Sequence, residues 1–162
     1  VPLDFAKGNL QIAQLASFMA SITRAAERNH NTQMALAFCN WWNSLGHVTD
    51  IEAVPARRYK PQGQNFELRI APEIAYKKDG VGFVTYLWAV AKPRLSNQTA
   101  GAGVYLLKNA LSSTKFADYN KQIVDLRSKN RVLGEALVGN QSKVILDSDL
   151  TTFANLKAGL GH

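Results

Sequence analysis

The segment FELRIAPEIAYKKDGVGFVTYLWAVA, residues 66 to 91, constrains the fold more than any other part of the chain. Asp79-Gly80 in its middle is a strong two-residue hairpin signal, because a type I′ turn needs positive φ at both turn positions. Before the turn, Phe66, Leu68, Ile70, Ile74 and Tyr76 fall on one face and Glu67, Arg69, Glu73 and Lys77 on the other. That alternation predicts a strand covered on one side, bent or bulged at Pro72. After the turn, VGFVTYLWAVA is apolar on both faces and predicts a central strand covered from both sides. With Asp79 and Gly80 as the turn, the register sets Tyr76 opposite Phe83, Arg69 opposite Val90 and Glu67 opposite Lys92. A Glu67–Lys92 cross-strand pair would contribute about 0.2–1 kcal/mol.

The flanking segments supply what covers such a hairpin. Residues 9 to 45 read as helix, with one apolar stripe of Ile12, Leu15, Met19, Ile22 and Ala26 and a second of Met34, Phe38, Trp41, Trp42 and Leu45. The polar run ERNHNT between them predicts a break near residue 30, capped by Asn29 or Asn31, and Gly46 is suited to end the helix. The period then changes: HVTDIEAVPARRY reads as a strand with Pro55 near its end, followed by the loop KPQGQN. Beyond Pro93, NQTAGAGVYLLKNALSS reads as a helix capped by Asn97 or Thr99. QIVDLRS and RVLGEALV read as two strands around a Lys129-Asn130 turn, while a helical reading of residues 118–140 also stays open. SDLTTFANLKAG predicts a terminal helix from Ser148 to Gly159.

Together these give an α+β (or α/β) fold: a single central mixed sheet of about four to five strands with helices packed on it, in the order ααβββαββα. One domain over residues 1–162 is expected, with a helical region at 9–45, a sheet and helix core at 47–140 and a short helix at 148–159.

Composition narrows the partners. No apolar run approaches the roughly 18 residues of a membrane span, and VPLDFAKGNL lacks the pattern of a retained signal peptide. The single cysteine, Cys39, lies in the apolar run MALAFCNWW, so it reads as a small buried hydrophobe, and a reducing cytoplasm is the expected compartment. Nineteen basic residues against twelve acidic give a net charge of +7. Residues 1–50 hold three of each sign, residues 51–100 eight basic and four acidic, and residues 101–162 eight and five. The excess begins where the strands begin, and it favours nucleic acid or another polyanion as partner.

No zinc-ligand spacing, GxSxG elbow, P-loop or EF-hand loop is present, so no metal site or cofactor is expected. The GAG at 101–103 lacks the third glycine of a dinucleotide loop and reads as small residues that let a helix approach the sheet. Two basic stretches carry possible chemistry. Arg57, Arg58 and Lys60 around Tyr59 combine phosphate contacts with a stacking surface. Lys92 and Arg94 leave the end of the central strand just before a helix N-terminus, where amides and cations together make an anion site.

One helix, three strands, a helix and a strand resembles the core order of the PD-(D/E)XK (restriction-endonuclease-like) fold, over roughly residues 31–128. In that family an early acid on the second strand and an acid-x-Lys on the third bind a divalent metal. Here Glu67 looks like the first acid and Lys92 like the lysine, but Val90 stands where the second acid belongs. Glu73 or Glu52 would have to substitute, since a hard cation needs several oxygen ligands. The resemblance therefore implies a nuclease-like scaffold without catalysis, working as a nucleic-acid-associated accessory module. Two alternatives accompany it: a protein-interaction or assembly component that meets an acidic partner or a second copy, and a Mg²⁺-dependent nuclease with a rearranged site using Glu67, Glu73 and Lys92.

Overall fold

In a computed structural model, which describes residues 2–90 and 92–159, the chain is an α+β protein built on a mixed five-stranded sheet. Three helices come first: α1 (Pro2–Ala6), α2 (Ile12–Ala20) and α3 (Ala25–Ser44). Strands β1 (Thr49–Glu52), β2 (Arg57–Tyr59), β3 (Leu68–Ile70), β4 (Ile74–Lys78) and β5 (Val81–Trp88) follow, then α4 (Asn97–Leu111), β6 (Asn120–Asp125), β7 (Arg131–Leu133), a 3₁₀ turn (Glu135–Leu137) and α5 (Asn140–Gly159). The sheet order is β1-β4-β5-β6-β7, with β5 and β6 parallel and every other neighbour antiparallel. β2 and β3 form a separate antiparallel ribbon.

The central hairpin is as the turn chemistry predicts. Asp79 and Gly80 both have positive φ, and Tyr76 pairs with Phe83. β5 is indeed internal, with β4 on one side and β6 on the other. The register stops short of Glu67 and Lys92, however. Pro72 has no N–H to give to a ladder, and the Glu73 carboxylate accepts the Leu87 N–H at 2.8 Å, taking the place of a strand carbonyl. The chain leaves the sheet there, and Arg69 pairs with Arg58 on β2, not with Val90.

The long strand expected over residues 47–59 is likewise two. β1 lies beside β4, with a register shift between Thr49 and Glu52, and β2 departs to join β3. The helical region also divides elsewhere than expected. ERNHNT lies inside α3, and the break falls at residues 21–24. Arg28 closes that joint from within α3: its guanidinium donates to the Ile22 carbonyl at 2.8 Å and to the Thr23 carbonyl at 3.4 Å. Asn29 and Asn31 therefore cap nothing. Gly46 ends α3 with φ of 75°.

One face of the sheet is covered by the aromatic end of α3. Phe38, Trp41 and Trp42 pack on Ile74, Tyr76, Leu87 and Val124, with Trp42 edge-on to Tyr76 at 5.2 Å. Cys39 is fully buried there, and burial pushes its thiol pKa up, as suits a residue that only packs. Beneath the aromatics, the Gln122 amide donates to the Tyr76 hydroxyl at 3.0 Å and to Thr85 at 2.9 Å, joining β4, β5 and β6 by side chains as well as backbone.

The opposite face is covered by α4, through Ala100, Val104 and Leu107 against Ile123 and Leu133. The N-cap is Ser96, whose hydroxyl accepts the Thr99 N–H at 3.0 Å, one residue before the expected Asn97. Residues 118–140 are β6, a tight turn with positive φ at Lys129 and Asn130, β7 and the 3₁₀ turn. Lys121, at the start of β6, is buried, and its ammonium donates to the carbonyls of Phe116, Ala117 and Tyr119. The last helix starts well before Ser148, because Ser142 accepts the Gly139 N–H at 3.1 Å and organises its first turn. α5 packs outside α4 and holds the β2–β3 ribbon through Phe66, Leu146 and Leu150. No helix among the described residues is long and apolar enough to cross a membrane.

The glycines of GAG serve close packing. A Cβ on Gly101 would lie 2.5 Å from the Leu137 carbonyl oxygen, whereas one on Gly103 would meet only the tip of Ile123 at 2.8 Å. Alanine favours a helix over glycine by about 1 kcal/mol, so the two substitutions separate packing from propensity. Gly101→Ala is expected to lower unfolding stability by about 1–3 kcal/mol through overpacking against backbone, while Gly103→Ala stays within about 1 kcal/mol of the parent because a side-chain tip can yield. Urea titrations of the two variants measure this; equal effects would show that Gly101 does not set the position of α4.

Candidate nucleic-acid interface

Two parallel neighbours end at the same edge of a sheet, and here Trp88 of β5 stands beside Asp125 of β6. The segments that leave those ends are both basic. Lys92 and Arg94 are exposed in the β5–α4 connection, with buried Leu95 between Arg94 and the start of α4 as an anchor. Arg127 and Lys129 lie in the β6–β7 turn. Arg94, Arg127, Ser128 and Lys129 line one open depression of about 670 Å³. None of the three cationic side chains makes an ion pair or hydrogen bond among the described residues, so their charge is available to a ligand.

Arg131 holds the two connections in place. Its guanidinium donates to the Leu95 carbonyl at 2.5 Å, reaches Asn97 Oδ1 at 3.5 Å and lies 3.8 Å from the buried Asp125 carboxylate. Asp125 also accepts the Arg127 N–H at 3.0 Å, which sets the path of the turn. Arg131 thus serves architecture and leaves binding to its neighbours. α4 begins next to this edge, so its first-turn amides add partial positive charge.

The other basic stretch does not act as one set. Arg58 is held by Glu67 at 3.2 Å. Tyr59 is half-buried and packs with Leu68 and the residues around α4, while Arg57 and Lys60 are exposed. Tyr59 lines a different depression from Arg94.

The carboxylates named as catalytic candidates are dispersed onto separate partners. Glu67 meets Arg58 on the ribbon, correcting its expected pairing with Lys92. Glu52 is bound by Lys115. Glu73 is largely enclosed at the start of β4, near Tyr86, and burial pushes its pKa up to about 7 despite the Leu87 N–H. Val90 is half exposed and Lys92 exposed; Ala91, the middle of that triplet, lies outside the described residues. Among the described residues no three His, Cys, Asp or Glu side chains come together as a metal site.

Arg127 and Lys129 were legible only as part of the basic excess. The signal that could have found them is the placing of Arg127 just before the Lys129-Asn130 turn and of Lys129 within it, combined with a parallel β5–β6 connection. Compared with protein-family models, curated proteins and solved structures, the chain gives no significant match.

The state of Glu73 yields a stability test. Its pKa rises from an ordinary 4.5 to about 7 in the fold, so the folded protein holds the proton more tightly than the unfolded chain. That contribution is complete below pH 4.5 and is lost as the pH rises through 7. At about 1.4 kcal/mol per pH unit between the two values, the loss is about 3 kcal/mol. Glu73→Gln keeps an acceptor for Leu87 without the charge. It is expected to match the parent at pH 4 and to exceed its stability by about 3 kcal/mol at pH 8. Denaturation series at the two pH values check this; a pH-independent difference would show that Glu73 is not held protonated.

Proposed function

We propose that this protein is a basic, non-catalytic nucleic-acid-associated module on a nuclease-like scaffold. What carries the reading is the convergence of Arg94, Arg127 and Lys129, all without an acidic partner among the described residues, around one open depression at the edge where β5 and β6 end. Ligands of sheets with parallel strands characteristically meet the carboxyl ends of those strands. Phosphates suit such a site because each neutralised charge releases counterions. Lys92 extends the same positive edge along the β5–α4 connection.

The scaffold part of the proposal rests on the order within the main sheet: α3, β1, β4, β5, α4 and β6 run helix, three strands, helix, strand, with the separate β2–β3 ribbon falling between β1 and β4 in the chain. The non-catalytic part is supported by Glu52, Glu67 and Glu73 each having a separate structural partner. A reducing cytoplasm suits the single, fully buried thiol. The interaction-component alternative draws on Val144 and Leu156 of α5, which are 67% and 62% exposed; an acidic protein would meet the same cations.

The test is binding of short DNA and RNA by fluorescence anisotropy as a function of salt. The logarithm of the affinity is expected to fall linearly with log salt, and the triple variant Arg94→Ala, Arg127→Ala, Lys129→Ala to lower the slope by about 2 to 3. Negligible binding at low salt sinks the reading. An unchanged slope in the variant removes these three residues from the interface.

A further inference from the structure

A second depression, of about 470 Å³, lies between the β2–β3 turn and the outer helices. Three elements converge on it. Tyr59 ends β2, and the turn that follows adds Gln62 and Gln64, with the Gln64 N–H donating to the Pro61 carbonyl at 3.2 Å. α4 contributes Tyr105 and, one turn on, Asn109. The Asn109 amide NH₂ donates to the Tyr105 carbonyl at 2.8 Å, which leaves its oxygen free to accept. α5 contributes Lys143 and Asp147, ion-paired at 2.9 Å. Asp147 strengthens the hold of Lys143 on its proton, and Tyr59 and Tyr105 line the same depression as this pair.

The chemistry of this lining is specific. Two phenol rings offer apolar faces, and the three carboxamides of Gln62, Gln64 and Asn109 carry both donors and acceptors, as the edge of a heterocyclic base requires. The charged pair is internally balanced, so the groove itself does not call for a charged ligand. The rim does: Lys60, which is exposed, sits in the chain between Tyr59 and Pro61, both of which line the groove. A ligand with a neutral planar head and an anionic backbone satisfies both. A neutral sugar would leave Lys60 unused.

We infer that this groove takes one unstacked base of a single-stranded nucleic acid, with Tyr59 and Tyr105 supplying stacking surface, the carboxamides of Gln64 and Asn109 meeting the base edge, and Lys60 contacting the adjoining phosphate. The inference rests on the polyanion reading above and adds to it a preference for single strands over duplex, since a paired base cannot enter.

The experiment compares the parent protein on a single-stranded 12-mer, the same strand with every base removed, and the corresponding duplex. Stacking of one base is worth about 1–3 kcal/mol, or roughly five-fold to a hundred-fold in affinity. The intact strand is therefore expected to bind at least about five-fold tighter than the abasic strand. Asn109→Ala and Gln64→Ala, both on exposed or half-exposed positions, are expected to reduce that ratio toward one with the melting temperature unchanged, as is Tyr59→Ala if it still folds. The Arg94, Arg127, Lys129 triple variant should weaken both strands alike and leave the ratio intact. Equal binding of intact and abasic strands overturns the groove while leaving the polyanion reading in place. If no strand binds, AMP and maltotriose are titrated separately against the ring-proton resonances of Tyr59 and Tyr105. Shifts with AMP keep the groove as a base site; shifts with maltotriose alone, or with neither, overturn it.

Discussion

The parallel pairing of β5 with β6 is the constraint on which the rest of the structure depends. Antiparallel neighbours can be joined by a two-residue turn, as β4 and β5 are, but parallel ones need a crossover that passes over a face of the sheet. α4 is that crossover. Its position covers β5 and β6 with Val104 and Leu107 and supplies the platform on which α5 and the β2–β3 ribbon are assembled. The same pairing carries both strands to a common edge, so two segments more than thirty residues apart in sequence meet there with their cations.

Once that edge exists, its charges are sorted by what else lies nearby. Lys121 is drawn inside by three carbonyls, and Arg131 is occupied in joining the β5–α4 connection to β7. Lys108 and Lys115 pair with Glu135 and Glu52. Arg94, Arg127 and Lys129 have no such partners among the described residues, and it is this remainder, more than the overall charge of +7, that defines a surface. The buried Gln122–Tyr76–Thr85 bridge works on the other face, holding three strands in fixed register under the α3 aromatics. A fully bonded polar group of this kind favours one arrangement over sliding alternatives.

The candidate site was half legible in the residues. Lys92 and Arg94 stood out because a long apolar strand ends in them, and that end is where the structure keeps them. Arg127 and Lys129 join them only through a strand pairing that no local pattern announces. ARRYK reads as cations around one stacking surface, Tyr59; in the fold Tyr59 is half-buried and lines a groove together with Tyr105 and Lys143. Glu67 was matched to Lys92 by extending the hairpin register past Pro72. One missing N–H and the insertion of the Glu73 carboxylate beside Leu87 ended that register early.

What the sequence determined by itself is what short-range chemistry decides. Asp79-Gly80 adopts a turn that few other pairs tolerate, and that turn dictates the register of β4 on β5. The two-sided apolar run after it can be stable only inside a sheet, and Gly46 ends a helix because it accepts positive φ without strain. The tertiary structure decided which strands became partners and where each stopped. β3 had the alternation to continue the hairpin, yet pairs with β2, because the choice was a competition between distant segments for the same backbone groups. Such competition is settled by packing on α4 and α5, whose surfaces exist only after the chain has folded.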